Sequence, residues 1–220
     1  MEVINPITSA IVKNAMDGET IKSLSDKIGF AYSAVYKWIM VLKEHDVIYL
    51  IEKGNRSIIK VNKNNIYRKF IELNDAVAIV EKDRMFWDLI KNIKLKIRFI
   101  ESTAIVVWTQ GSYITGDFLE KIYFLEVYHR DLNRLKKILK KQKIDYSEKR
   151  EMTGKRPVVY LTSCKNEFRI KHREGLPVVP LQELVRWCKK LHLENVLEQL
   201  DSLYSLNLSA KYSEIKTNMR

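Results

Sequence analysis

Glycine and proline are scarce, seven and four in 220 residues. That excludes collagen-like and low-complexity chains, and no internal repeat is present. Cysteine is scarcer still: Cys164 and Cys188 stand alone, with no CxxC spacing. Neither a disulfide framework nor a thiolate metal site is expected, only two free thiols in a reducing compartment. His45, His129, His172 and His192 are far apart, without HxxxH or HExxH pairing, so no zinc-hydrolase motif exists. Ser163-Cys164 has no obvious local base. No run reaches the roughly 18 apolar residues of a membrane span. Met1 is followed by acidic and polar residues, so a secretion signal is not expected and a cytoplasmic location is.

What is present is ample core material and positive charge. Hydrophobic residues make up 46% of the chain, and its length suits two domains. The formal charge of +12 is unevenly spread. Residues 1 to 63 hold nine Lys+Arg against seven Asp+Glu, while residues 64 to 150 hold 18 against 12. Abundant Lys, Ile, Glu and Asn have the cast of a thermophilic archaeal protein.

Residues 20 to 61 carry the most readable pattern. Thr20 is placed to cap a helix in which Ile21, Leu24 and Ile28 share one face, and Gly29 ends it. Phe30 then plugs the corner. A second helix is expected from Tyr32 to Glu44, with Val35, Ile39 and Leu42 inward and Tyr32, Ser33, Tyr36, Lys37 and Met40 outward. Ala31 stands where a Ser or Thr cap is usual. Two alternating runs, Val47–Ile51 and Ser57–Val61, flank Glu52-Lys53-Gly54-Asn55-Arg56, a hairpin signal. Helix, turn, helix and hairpin follow in the order of a winged helix-turn-helix.

Residues 29 to 39, GFAYSAVYKWI, resemble the Gly-Leu-Ser-x-Ser-Thr-Val-x-Arg-x-Leu pattern of bacterial and archaeal winged-helix regulators. Phe30, Ala31, Ala34 and Lys37 depart from it. The resemblance covers about residues 5 to 63. It implies a transcriptional regulator that binds double-stranded DNA as a homodimer on paired half-sites. Ser33 and Lys37 are then the base readers and Tyr36 a mixed contact, with Tyr32 beside them. Lys53, Asn55 and Arg56 form the wing tip on the phosphate backbone.

Beyond the hairpin an α+β architecture is expected: a domain over residues 1–65, a mixed α/β domain with C-terminal helices over 66–208, and a polar tail over 209–220. The pattern predicts helices at Ile66–Leu73 and Asp83–Asn92, separated by the apolar run Val77–Val80. It predicts strands at Ile93–Ile100, Ala104–Trp108, Ile122–Tyr128, Arg156–Thr162 and Glu167–Lys171, and helices at Pro180–Leu193 and Glu194–Leu206. Between Arg130 and Arg150 lie nine basic and three acidic residues. There Asp131 is placed to cap a helix with Leu132, Leu135, Ile138 and Leu139 on one side and Lys136, Lys137, Lys140, Lys141 and Lys143 mostly off it. Such a face is either merely solvated or a contact to nucleic acid or an acidic protein.

Trp108-Thr109-Gln110-Gly111-Ser112-Tyr113-Ile114-Thr115-Gly116 is similar to the strand and Gly-Ser turn that open the nucleotidyltransferase superfamily. Residues 175 to 185, GLPVVPLQELV, resemble its late segment. That resemblance implies a phosphate-holding turn at Gly111 and Ser112. However, the Asp pair that would bind two Mg²⁺ falls on Tyr123 and Leu125, so an inactive domain without a metal cofactor is expected. An active nucleotidyltransferase targeted by the winged helix is the alternative. Winged-helix heads on such domains also resemble abortive-infection-type antitoxins, which repress their own operon.

Overall fold

A computed structural model describes residues 5–54, 56–150 and 156–208. The chain is α+β and divides into two compact units, Met1–Val80 and Glu81–Arg220.

The first unit begins with α1 (Pro6–Asn14), held by a capping box between Asn5 and Thr8. Next, α2 (Ile21–Ile28) starts on Thr20, whose hydroxyl accepts from the Ser23 N–H at 3.2 Å. It ends at Gly29, whose φ of +74° is a left-handed cap. The third helix, α3 (Tyr32–Glu44), has no side-chain cap at Ala31, as expected. Val35, Ile39 and Leu42 are fully buried with Ile11 and Leu24, while Met40 is half-buried. Phe30 does not plug the corner. It stays 36% exposed, because Leu24, Ile28 and Val35 already fill the core beneath the turn.

Strands β1 (Ile48–Lys53) and β2 (Arg56–Val61) pair antiparallel from Ile48↔Val61 to Lys53↔Arg56. The strands therefore run further toward the tip than the expected five-residue loop allows, to Lys53 and Arg56. Gly54 has a φ of +63°, as a primed hairpin turn needs, and Asn55 lies outside the described residues. The link before α2 joins this hairpin. Gly18 N–H donates to Ile59 O at 2.9 Å, and Ile59 N–H donates to Glu19 O at 2.8 Å.

The expected pair of helices after the hairpin is one helix, α4 (Asn65–Asn92). No Gly or Pro interrupts these 28 residues, so nothing stops propagation through Val77–Val80. Phe70 from its first half belongs to the first core, and Phe86 and Ile90 from its second half belong to the second.

In the second unit, β3 (Ile97–Phe99) leads to α5 (Glu101–Trp108), the short α6 (Gly116–Leu119) and β4 (Ile122–Tyr128). A single 3-10 turn at His129–Asp131 precedes α7 (Leu132–Lys141). Then come β5 (Asp145–Ser147), β6 (Val158–Cys164), β7 (Lys171–Arg173), β8 (Leu176–Val178), α8 (Leu181–Lys190) and α9 (Glu194–Tyr204). The described strands form a six-stranded mixed sheet in the order β5-β6-β4-β3-β8-β7. One face packs Tyr123, Leu125 and Val127 against Phe86, Leu135, Leu139 and helix residues that include Leu184 and Cys188.

Several expected elements change here. The run Ala104–Trp108 is helix, not strand, and Ser102 to Val107 are all buried. A uniformly apolar run has no period, so burial on every side suits either structure. Only Ile97–Phe99 of the expected strand Ile93–Ile100 is regular strand; although Lys96 O still accepts from Tyr128 N–H at 2.9 Å, Lys96 N–H donates to the Asp131 carboxylate at 3.0 Å. That same bond takes Asp131 away from capping α7, which has no side-chain cap. Glu167–Ile170 is irregular, and the strand there is Lys171–Arg173, hairpinned to β8 through Glu174 and Gly175. The tail from Ser209 to Arg220 lies outside the described residues.

Candidate nucleic-acid interface

In the first unit, burial of Val35, Ile39 and Leu42 fixes the rotation of α3. Tyr32, Ser33, Tyr36 and Lys37 are thereby left in solvent at its N-terminal end. Tyr32 and Tyr36, one turn apart, stack with centroids 6.1 Å apart and planes 28° from parallel. They are 48% and 43% exposed and belong to no part of the buried core. Lys37 extends its ammonium to 5.9 Å from the Trp38 ring. Without a cap at Ala31, the first backbone N–H groups of α3 remain open, and a helix N-terminus attracts anions.

The hairpin carries charge of its own. Lys53 and Arg56 are directly cross-strand. Like charges so placed oppose pairing by roughly 0.2–1 kcal/mol, a cost that a bound anion reverses. Among the described residues, no carboxylate pairs with Lys37, Lys53 or Arg56. A cleft of about 400 Å³ lies between Thr20, Ile21, Lys22, Tyr32, Arg56 and Ser57. It brings Tyr32 and Arg56 together. It also adds Lys22, which sequence reasoning missed although it stands two positions after the Thr20 cap. Lys22 meets Asp26 at 2.8 Å in an exposed pair that an incoming phosphate can displace at little cost.

The second unit carries a separate basic surface. On α7, Leu135 and Leu139 are buried, and Arg134, Lys137 and Lys141 are exposed at three- and four-residue spacing. Lys136 is tied to Glu148 at 2.6 Å.

The Gly111-Ser112 turn has the wrong polarity for phosphate. It follows the C-terminus of a helix, where the dipole is negative. Gly111 N–H donates to Val106 O and Ser112 N–H donates to Thr109 O, both at 3.0 Å. The Ser112 hydroxyl donates to Thr109 O and accepts from Gln199 Nε2. No donor of this turn is left for an anion. Tyr123 and Leu125, at the positions of the metal-binding pair, are fully buried. Among the described residues, no group of three or more His, Cys, Asp or Glu is placed to hold a metal ion. None of the described helices is long and apolar enough to cross a membrane.

No family model, curated protein or solved structure matches this chain.

Proposed function

We propose that the chain is a sequence-specific DNA-binding transcriptional regulator. The first unit is a winged helix-turn-helix that lays α3 in the major groove. The observation that carries this is the exposed, uncapped N-terminal face of α3, with Tyr32, Ser33, Tyr36 and Lys37 in solvent and Arg56 sharing a cleft with Tyr32. The hydrogen bonds that Ile59 accepts from Gly18 N–H and donates to Glu19 O support it by tying the hairpin to the start of α2. Lys37 and Ser33 read base edges, while Lys22, Lys53 and Arg56 take phosphates.

Binding as a homodimer belongs to the same proposal. On α4, Leu73, Val77 and Val80 are 40%, 48% and 62% exposed. Their four- and three-residue spacing suits a helix paired with its own copy. The α7 face supplies further sequence-independent attraction to DNA.

A gel-shift titration tests the proposal, using the duplex upstream of this protein's own gene against a scrambled duplex at roughly 150 mM salt. Tight binding to the native duplex alone is expected. Lys37→Ala should lower that binding while leaving the weak affinity for scrambled DNA nearly unchanged. Equal, weak binding to both duplexes overturns sequence reading.

A further inference from the structure

The second unit contains a cavity of about 280 Å³ that the DNA-reading proposal does not use. It lies near the lower end of the range for small-molecule sites, roughly 300–1,000 Å³, and suits one ring with a short arm. Its walls are apolar: Trp87, Val106, Val107, Ile114, Phe118 and Leu176. Trp87 is firmly set, with ring centroids 5.1 Å from Phe99, 5.7 Å from Phe118 and 5.0 Å from Tyr123. A fixed aromatic wall is a preformed surface for a ligand ring.

The lining also carries charge. Lys91 and Arg173 both line it. Among the described residues, neither pairs with a carboxylate. Arg173 is half-buried, with its guanidinium 5.8 Å from the Tyr204 ring centre. Gln110, its amide turned so that the oxygen faces the guanidinium, gives Arg173 only a neutral acceptor. A half-buried guanidinium that lines an apolar cavity without a counter-ion, its Nε and one Nη engaged by Gln110, keeps its remaining N–H donors for an anionic group. Glu174 also lines the cavity, which leaves a single net positive charge.

We propose that this cavity binds a small organic carboxylate. Its aromatic or branched body rests on Trp87, Val106, Val107 and Phe118, and its acid group on Arg173 and Lys91. The site belongs to the second unit alone and stands or falls independently of DNA binding.

The test is calorimetry and ¹H–¹⁵N NMR on the full chain with 3-phenylpropanoate, L-phenylalanine and the uncharged 3-phenylpropanamide. Phenylpropanoate should bind and shift the Trp87 indole N–H, and the amide should bind about tenfold more weakly. Arg173→Gln should weaken the acid about tenfold but not the amide, a contrast that a folding defect cannot produce. Ile114→Trp, at the exposed rim (51%), should block both ligands. Phenylalanine binding above phenylpropanoate would support the site and assign Glu174 to an ammonium group. The reverse order would support a plain carboxylate. Binding of no acid at millimolar concentration, equal binding of acid and amide, or binding unmoved by both variants overturns the proposal.

Discussion

Tyr36 in the first unit and Tyr123 in the second are the same side chain in opposite employment. Tyr36 is 43% exposed and stacks on Tyr32 in water. Tyr123 is fully buried, stacks on Phe86 at 5.0 Å and 6°, and donates its hydroxyl proton to Asp83. Charge divides similarly. Among the described residues no carboxylate pairs with Lys37 or Arg56 near the exposed tyrosines, whereas Asp83 meets Lys121 at 2.9 Å beside the buried one. An aromatic surface kept in water beside unpaired cations adds nothing to the fold and is available to a ligand. An aromatic whose phenol is satisfied internally is committed to the core.

The largest effect expected from this contrast is on stability. Phe86→Ala removes the ring stacked on Tyr123 and should cost about 3–5 kcal/mol, read by urea denaturation. Tyr36→Ala should change the same measurement by no more than about 0.5 kcal/mol. A comparable loss from both variants would mean that the exposed tyrosines are structural after all.

Arg98 comes next. It is 8% exposed and donates to Glu126 at 2.6 Å, to Glu183 at 2.8 Å and to Arg169 O at 2.8 Å, with its guanidinium 4.7 Å from the Phe168 ring centre. Arg98→Met strands two carboxylates and should cost about 3 kcal/mol. Adding Glu126→Gln and Glu183→Gln should recover most of that loss, because the penalty lies in the uncompensated charge. No recovery in the triple variant would place the cost in packing.

Alkaline pH sharpens the contrast without a mutation. Burial pushes the Cys188 thiol up from its ordinary 9.0 to about 12. Burial, then the hydrogen bond and charge of Asp83, push the Tyr123 phenol well above its ordinary 10.0. Both groups hold their protons longer folded than unfolded. The stability they contribute is therefore complete below pH 9 and is lost as pH rises from 9 toward 12. Each group removes up to about 1.4 kcal/mol per pH unit within its window. Urea midpoints measured from pH 8 to 11 should fall, and Cys188→Ala should flatten the earlier part of that fall.

Much of the first unit was legible because its signals are local. Thr20, Gly29 and Gly54 punctuate, and Val35, Ile39 and Leu42 keep helical period, so α2 and α3 fall where the pattern puts them. Less of the second unit was. Ala104–Trp108 is apolar throughout and carries no period, and a run of that kind is settled only by what surrounds it. The same blindness hid the cavity: Trp87, Val107 and Arg173 are distant in sequence, and only the folded chain makes them neighbours. Ser112 shows the converse error. A Gly-Ser pair suggested a phosphate turn, but whether its N–H groups are free depends on the helix before it, and α5 consumes them.

The smallest expected effect separates fold from function at one residue. Arg56 faces Lys53 across the hairpin, in repulsion that the free protein bears without a pairing carboxylate. Arg56→Gln removes one charge and should stabilise the ligand-free chain slightly, by about 0.2–1 kcal/mol in urea denaturation. The same change should weaken DNA binding and make the slope of log affinity against log salt shallower by about one, since one phosphate contact is lost. Opposite signs in the two measurements are what a strained, function-directed charge predicts. Loss of stability together with loss of binding would show instead that Arg56 supports the hairpin, and would leave α3 and Lys22 to hold the DNA.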